Sequence, residues 1–321
     1  MTDTSGTTLT VPQITYETEG KKEDIEEIIG LISPYDTPCY SQFRKTTAIQ
    51  PVHSWQEDYL RVPAAQAITE GQTTTVNTGV ATVLKTNWTQ IFEESAAVSG
   101  TMESTALYGR SDEMDYQMMK KGRELRRDIE FALVGNGQTG AVGSSSVART
   151  LASCEALIGS DTTTDLSSEA VPDVTEAHIL AIHQAMFQLG GDANQLMVTP
   201  GHSLRVANFA YIDPTAASQR LRDFGNESKL VNKVDVYISP FGTLSVVLNR
   251  WLQGPGVGAA TDTSSMLLLE TDRWSIPQLR PMTAYPLAKT GDNTRRLLNC
   301  ELTLVLENED ASGIIINCND A

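Results

Sequence analysis

The chain has 321 residues, 40% hydrophobic and 20% charged, enough apolar material for a core that divides into more than one compact region. Its 40 acidic and 24 basic side chains leave a net charge of −16, which weighs against a protein that holds duplex DNA by broad phosphate neutralisation. The opening MTDTSGTTLT lacks the basic and apolar regions of a leader, and no uncharged apolar run approaches the ~20 residues of a membrane span, so the chain reads as cytoplasmically made and soluble.

Cys39, Cys154, Cys300 and Cys318 form no CxxC pair and lie far in sequence from His53, His178, His183 and His202. Neither a zinc site nor a disulfide framework is expected, and no cofactor is implied.

The first twenty residues are polar and read as an arm without structure of its own. In KEDIEEIIGLI, Ile25, Ile28, Ile29 and Ile32 recur at helical spacing until Pro34 stops the helix. ISPYDTPCYSQF follows, a joint in which Pro34 and Pro38 set direction, Tyr40 and Phe43 anchor, and Cys39 packs as a small, free hydrophobe. Two long strands come next, QPVHSWQEDYLRV and VNTGVATVLKTNWTQIFEE, joined by a turn at ITEGQTTT. Alternation places Val76, Val80, Leu84, Trp88 and Phe92 on one face of the returning strand and Asn77, Lys85, Asn87 and Thr89 on the other, a half-buried ribbon. A two-stranded ribbon of this length is marginal alone and must lie on something.

A long helix is expected from Asp112 to Val134, roughly 35 Å at 1.5 Å per residue. Ser111 is its candidate N-cap, Met114, Met118, Leu125, Ile129 and Leu133 form its apolar face, and Arg126 pairs with Glu130. NGQTGAVGSSS is glycine-rich, but a helix precedes it and the lysine of a phosphate loop is missing, so it reads as a flexible loop. From Pro172 the pattern is α/β: helix TEAHILAIHQAMFQL, strand NQLMVTP, helix HSLRVANFA, and two strands in VDVYISPFGTLSVVLN. His178 and His183 are five apart and share no metal-binding helix face, and Gly201-His202-Ser203-Leu204-Arg205 lacks the last glycine of a nucleophile elbow. The last sixty residues are strand-rich, with NCELTLVLENE read as a half-buried strand.

The segments DIEEIIGLISPYDTPCYSQF, HSWQEDYL, AITEGQ, NWTQIFEESAAVSGT, ELRRDIEFALVGN and LLLETDRWSIPQLRPMTAYPLAKTGDNTRRLLNCELTLVLENEDASGIIIN, in this order, resemble the successive motifs of a tailed-phage major head protein family of the Hong Kong 97-type fold. The resemblance implies an α+β capsid subunit: an N-terminal arm and short helix (1–45), an extended β-ribbon loop (46–98), a peripheral domain with the spine helix (99–171), an axial domain (172–275), and C-terminal strands returning to the peripheral domain (276–321). It further implies a non-enzymatic protein that self-assembles into hexamers and pentamers of an icosahedral head around double-stranded DNA, with cement, scaffolding and portal proteins as further partners and no membrane. Its expected location is the virion, assembled in the host cytoplasm. The assembly contacts it suggests are Pro34, Pro38, Tyr40, Phe43, Trp55, Tyr59, Glu70, Trp88 and Phe92. Some members of this fold crosslink a ribbon lysine to a neighbour's asparagine with help from a glutamate; Lys85 is a ribbon lysine, but no motif identifies a partner, and it is expected to be solvated. Two alternatives stand beside this reading. One is another virion part such as a tail or adhesin protein, against which the lack of repeats counts. The other is a hydrolase using Cys39 or Ser203 with His53 or His202.

Overall fold

A computed structural model describes residues 33–73, 79–135, 137–169, 172–209, 234–252 and 263–319. The N-terminal arm, the KEDIEEIIGLI segment, and Val76 and Asn77 lie outside the described residues. The described residues open with a short helix α1 (Pro38–Gln42) and strand β1 (Arg44–Thr47), then the ribbon strands β2 (Val52–Glu57) and β3 (Val83–Trp88). Strand β4 (Gln90–Ser99), helix α2 (Gly100–Ser104) and the long helix α3 (Glu113–Glu130) follow.

Helix α3 starts one residue later than expected, because Asp112 rather than Ser111 caps it, its side chain accepting from the Asp115 N–H at 3.1 Å. Its apolar face is the expected one: Met114, Leu125 and Ile129 are buried, as is Leu133 in the π-helical turn Phe131–Gly135 that ends it. Gly135 is required there, since a Cβ would stand 2.0 Å from the Trp251 carbonyl oxygen. The expected Arg126–Glu130 pair does not form, because Glu130 is fully buried and turned inward.

After α4 (Cys154–Leu157) and β5 (Thr163–Asp165) come α5 (Glu176–Leu189), β6 (Gln195–Val198), α6 (Pro200–Asn208), β7 (Val236–Ser239) and β8 (Gly242–Leu248). The chain closes with β9 (Thr263–Leu269), β10 (Trp274–Pro286), β11 (Asn293–Leu302), β12 (Val305–Leu306) and β13 (Gly313–Asn319). One sheet runs β1-β10-β11-β4, with β12 added on β10. β4 pairs with β11 without a break from Ser99↔Asn293 to Gln90↔Leu302 and turns Phe92, Ala96 and Val98 inward at the period of two. Helix α3 packs over that face.

The second sheet runs β5-β13-β9-β6-β8-β7. Its central strands are buried on both faces, so their sequences are continuous apolar runs rather than alternating ones. Leu196, Val198, Met266, Leu268 and Ile315 pack with Ile179, Ile182 and Met186 of α5. The intervening Met197, Leu267, Leu269 and Ile314 point the other way and join the core containing α3, Phe43 and Trp274. These strands are therefore a common wall between two cores.

The end of the chain departs from the sequence reading in two ways. β13 pairs with β9 and β5, so the C-terminal strand belongs to the six-stranded sheet rather than with the other strands after residue 276. Glu301 through Leu306 are all buried, not half-buried, because both faces of this stretch are covered. The helix histidines are structural: His178 accepts from the Thr175 N–H through Nδ1 at 3.3 Å, His183 meets Ser239 Oγ at 2.9 Å, and His202 meets Ser264 Oγ at 2.6 Å.

Candidate assembly surface

The joint is held from beneath by a buried carboxylate. Helix α1 has two first-turn amides without intrahelical acceptors, and the N–H groups of Cys39 and Tyr40 donate to Glu130 at 2.9 and 2.7 Å. Asn249 Nδ2 donates a third bond at 2.7 Å. Burial pushes the Glu130 carboxyl above its ordinary range, and these three donors oppose that shift. Phe43 stacks on Trp274 with ring centroids 5.4 Å apart. Cys39 is a free, fully buried thiol 3.4 Å from the Met197 sulfur; burial first, and the Glu130 charge second, raise its pKa. Ser203 Oγ donates to the Pro200 carbonyl, so neither Cys39 nor Ser203 forms the pair with His53 or His202 that a hydrolase needs, among the described residues.

The ribbon turns the polar one of its two faces inward. β2 and β3 pair antiparallel from Val52↔Trp88 to Glu57↔Val83, and beyond them residues 58–73 and 79–82 belong to no strand, with a turn at Glu70 and Gly71. Asn87 and Thr89 are fully buried, whereas Leu84 is 62% exposed and Val80 53%. The cause is the polar chemistry of the inward face. Asn87 Nδ2 donates to the carbonyls of Leu304 (2.7 Å) and Ala152 (3.3 Å), and its Oδ1 accepts from the Ala152 N–H (2.8 Å). Thr89 donates its hydroxyl to Glu301 at 2.7 Å, and Glu301 in turn binds Arg149 and Arg280. A buried amide with its partners satisfied outweighs an exposed leucine, so periodicity locates the two faces without telling which is inside. The inward face then changes at Thr89, which is how Phe92 comes to be buried in β4.

Lys85 is half-buried rather than solvated: its Nζ lies 2.5 Å from Glu309 and 3.9 Å from Glu57. The hydrogen bond to Glu309 raises the Lys85 pKa. Glu57 receives the Trp55 indole N–H at 3.3 Å and the Tyr59 hydroxyl at 3.4 Å, while burial pushes its carboxyl up. Trp55 and Trp88 line a cavity of about 380 Å³ between the ribbon and Ala152, Ala156, Leu157 and Ile158.

Of the nine residues singled out in the sequence, Tyr40, Phe43 and Phe92 are buried inside the subunit. Trp55, Tyr59 and Trp88 are half-buried at the ribbon base and so is Pro38 at the joint, while Pro34 and Glu70 are exposed. Sequence reasoning missed Glu57, Asn87, Glu130, Asn249 and Glu301, the buried polar groups that attach one segment to another. The available signal was a charged residue inside a strand that is otherwise uncharged, as Glu301 in NCELTL.

Outside the ribbon base, Leu60 (99% exposed), Val62 (83%) and Ile68 (71%) are further exposed apolar residues of the loop. An arm of this kind, carried on a spine helix and two sheet-based cores, is the Hong Kong 97-type capsid fold, and it defines a shell-forming subunit. The solved structure from Mycobacterium phage Bobi has the same fold, with a TM-score of 0.62 at 13% identity, covering 92% of this chain and 95% of that one. So does the capsid of a native GTA particle, with a TM-score of 0.60 at 9% identity, covering 95% of this chain and 97% of that one. The family model for the SU10 major capsid protein matches residues 3–319, and the chain belongs to that family of phage major capsid proteins. It is 26% identical over 348 residues to the major capsid protein of Escherichia phage Phieco32, covering 94% of this chain and 96% of that one.

Proposed function

We propose that this capsid protein assembles with copies of itself into hexamers and pentamers of an icosahedral head around double-stranded DNA, and that its role is structural, without catalysis. What carries the reading is the orientation of the ribbon: its polar side is consumed in attachment to the body, while Val80 and Leu84 on its other side, and Leu60, Val62 and Ile68 in the loop beyond, are exposed. In this proposal residues 46–98 lie over a neighbouring subunit, and Pro34, Trp55, Tyr59, Glu70 and Trp88 border that contact. Tyr40, Phe43 and Phe92 act from inside, by fixing where the ribbon leaves the body. The spine helix and residues 99–171 with β10 and β11 form the peripheral part, and 172–275 with β13 the axial part. Decoration, scaffolding and portal proteins are the further partners, and assembly takes place in the host cytoplasm before the protein resides in the virion. A low density of fixed cations fits a shell that encloses DNA without trapping it.

The test is Leu84→Asp, examined by electron microscopy and sedimentation. Leu84 is exposed, so the subunit folds as the parent does, while burying a carboxylate in the contact removes shells and capsomers. Normal particles from Leu84→Asp and from Val62→Asp alike would overturn the ribbon's role.

A further inference from the structure

Helix α3 carries a cluster of basic side chains that outnumbers the carboxylates beside it, Glu124 and Asp128. Lys120, Arg123, Arg126 and Arg127 stand within two turns, on a chain in which carboxylates outnumber basic groups by 40 to 24. Lys121, beside them, is paired with Glu94 and Glu124. The other four have no ion pair among the described residues: Arg123 lies over the Tyr35 ring at 5.2 Å and Arg127 over Trp251 at 5.7 Å, contacts that leave their guanidinium donors free for an anion. Glu124, which is paired with Lys121, and Asp128 are the carboxylates among them, and in so acidic a protein this local excess of basic groups points to an anionic occupant.

The chain itself leads to this face. Trp251, under Arg127, donates its indole N–H to the Asp36 carbonyl at 2.8 Å, Tyr35 lies under Arg123, and Ser33, Pro34 and Tyr35 line a cavity with Lys120, Arg123, Arg127 and one carboxylate, Glu124. Read from Asp36 back to Ser33, the chain thus crosses the cationic face. Immediately upstream, Glu17, Glu19, Glu23, Asp24, Glu26 and Glu27 make six carboxylates against Lys21 and Lys22. Ten residues separate Ser33 from Glu23, so Glu23 cannot be more than about 35 Å from the face even in extended chain. Tethering at that length holds the carboxylates at roughly millimolar effective concentration.

We propose that Lys120, Arg123, Arg126 and Arg127 form the docking face for the acidic segment Glu17–Glu27 of the same chain, which lies outside the described residues. The joint at Ser33–Asp36 then serves to deliver that segment onto the spine helix. Duplex DNA is the competing polyanion, and the experiment separates the two.

Unassembled full-length subunits, mixed from isotopically light and heavy preparations, are treated with a carbodiimide, which joins a carboxylate to a lysine only at ion-pair distance. The expected product is a link from Lys120 to a carboxylate between Glu17 and Glu27 within one chain. Its yield falls about tenfold in Arg123→Glu/Arg126→Glu, two exposed ion pairs' worth, and in 1 M salt, where the screening length is about 3 Å. Because Arg123 also holds Tyr35, Arg126→Glu alone is run as the milder variant, and it lowers the yield in the same direction. Links only between light and heavy chains, or none in protein that unfolds normally, would overturn the proposal. So would binding of a 30-base-pair duplex to the parent subunit that is lost in Arg126→Glu, which would assign the face to DNA. None of these readouts needs a shell, so failure to assemble does not bear on them.

Discussion

Replacing Glu130 with leucine tests whether the joint is held by its buried carboxylate. The parent residue is fully buried and accepts hydrogen bonds from the Cys39 N–H, the Tyr40 N–H and Asn249 Nδ2 at 2.9, 2.7 and 2.7 Å. Leucine of similar volume recovers the carboxylate's desolvation but leaves three donors unsatisfied in a closed core. At about 1–3 kcal/mol for each orphaned donor, less whatever relaxation recovers, the loss is about 3–5 kcal/mol. Glu130→Gln keeps one acceptor oxygen but sets its own NH₂ against a donor, a smaller loss of about 1–2 kcal/mol. The assay is urea unfolding of unassembled subunits followed by tryptophan fluorescence, with hydrogen exchange at the Cys39 and Tyr40 amides as the local probe. The sign of the pH effect follows from burial. A carboxyl whose folded pKa is raised holds its proton longer in the folded state, so its contribution declines as pH rises from the ordinary value of 4.5 through the folded pKa. The Glu130→Gln penalty is therefore largest at the acid end of that window and shrinks above it. A loss under about 1 kcal/mol for Glu130→Leu, with Cys39 and Tyr40 amides as protected as before, would refute the reasoning.

Three further outcomes are expected. Cys39 and Cys154, both at 0% exposure with thiol pKa values raised by burial, resist a disulfide reagent in the native subunit and react only at the global unfolding rate; fast native labelling of Cys39 would contradict a sealed joint. Gly135→Ala drives a methyl to 2.0 Å from the Trp251 carbonyl and destabilises by about 2–4 kcal/mol in thermal unfolding, whereas an unchanged midpoint would mean the π turn shifts freely. Lys85→Met removes the tie to Glu309 and costs the subunit only about 0.5–1 kcal/mol, yet limited proteolysis of residues 58–73 speeds up because Lys85 is the ion pair that holds the ribbon beyond Asn87; equal cleavage rates would leave Lys85 without that part.

What could be read from the sequence was period and order. The spine helix, the alternation of α5, β6, α6, β7 and β8, and the strand-rich end all follow from spacing that a single helix or strand imposes on its own residues. The direction of a face is a tertiary property. In β3 both parities are chemically mixed, and the choice between Leu84 out and Asn87 in depends on the backbone groups of Ala152 and Leu304, which lie 65 and 217 residues away. Glu130 fails in the same manner: its spacing from Arg126 predicts a surface ion pair, and only the arrival of the joint more than ninety residues upstream gives it better partners.

The inward turn of the polar face also explains how a ribbon can be fixed to its own subunit and still have apolar residues left for association. A ribbon with its apolar side inward would be complete in the monomer and would offer a neighbour only polar groups, whose exchange for water contributes little. Turning Asn87, Thr89 and Lys85 inward instead spends directional bonds on fixing the ribbon's exit from the body, where geometry matters. Leu84 and Val80 are left for contact, and burying them contributes about 25 cal/mol per Å² wherever a neighbour covers them. The net charge of −16 opposes that association at long range and in low salt, so the two terms set a threshold. Raising ionic strength shortens the repulsion while leaving the apolar term intact. Assembly of the parent subunit is therefore promoted by salt between about 0.01 and 0.5 M, where the screening length falls from about 30 Å to under 8 Å, and assembly that weakened over this range would place the dominant contact in ion pairs rather than in the ribbon's outward face.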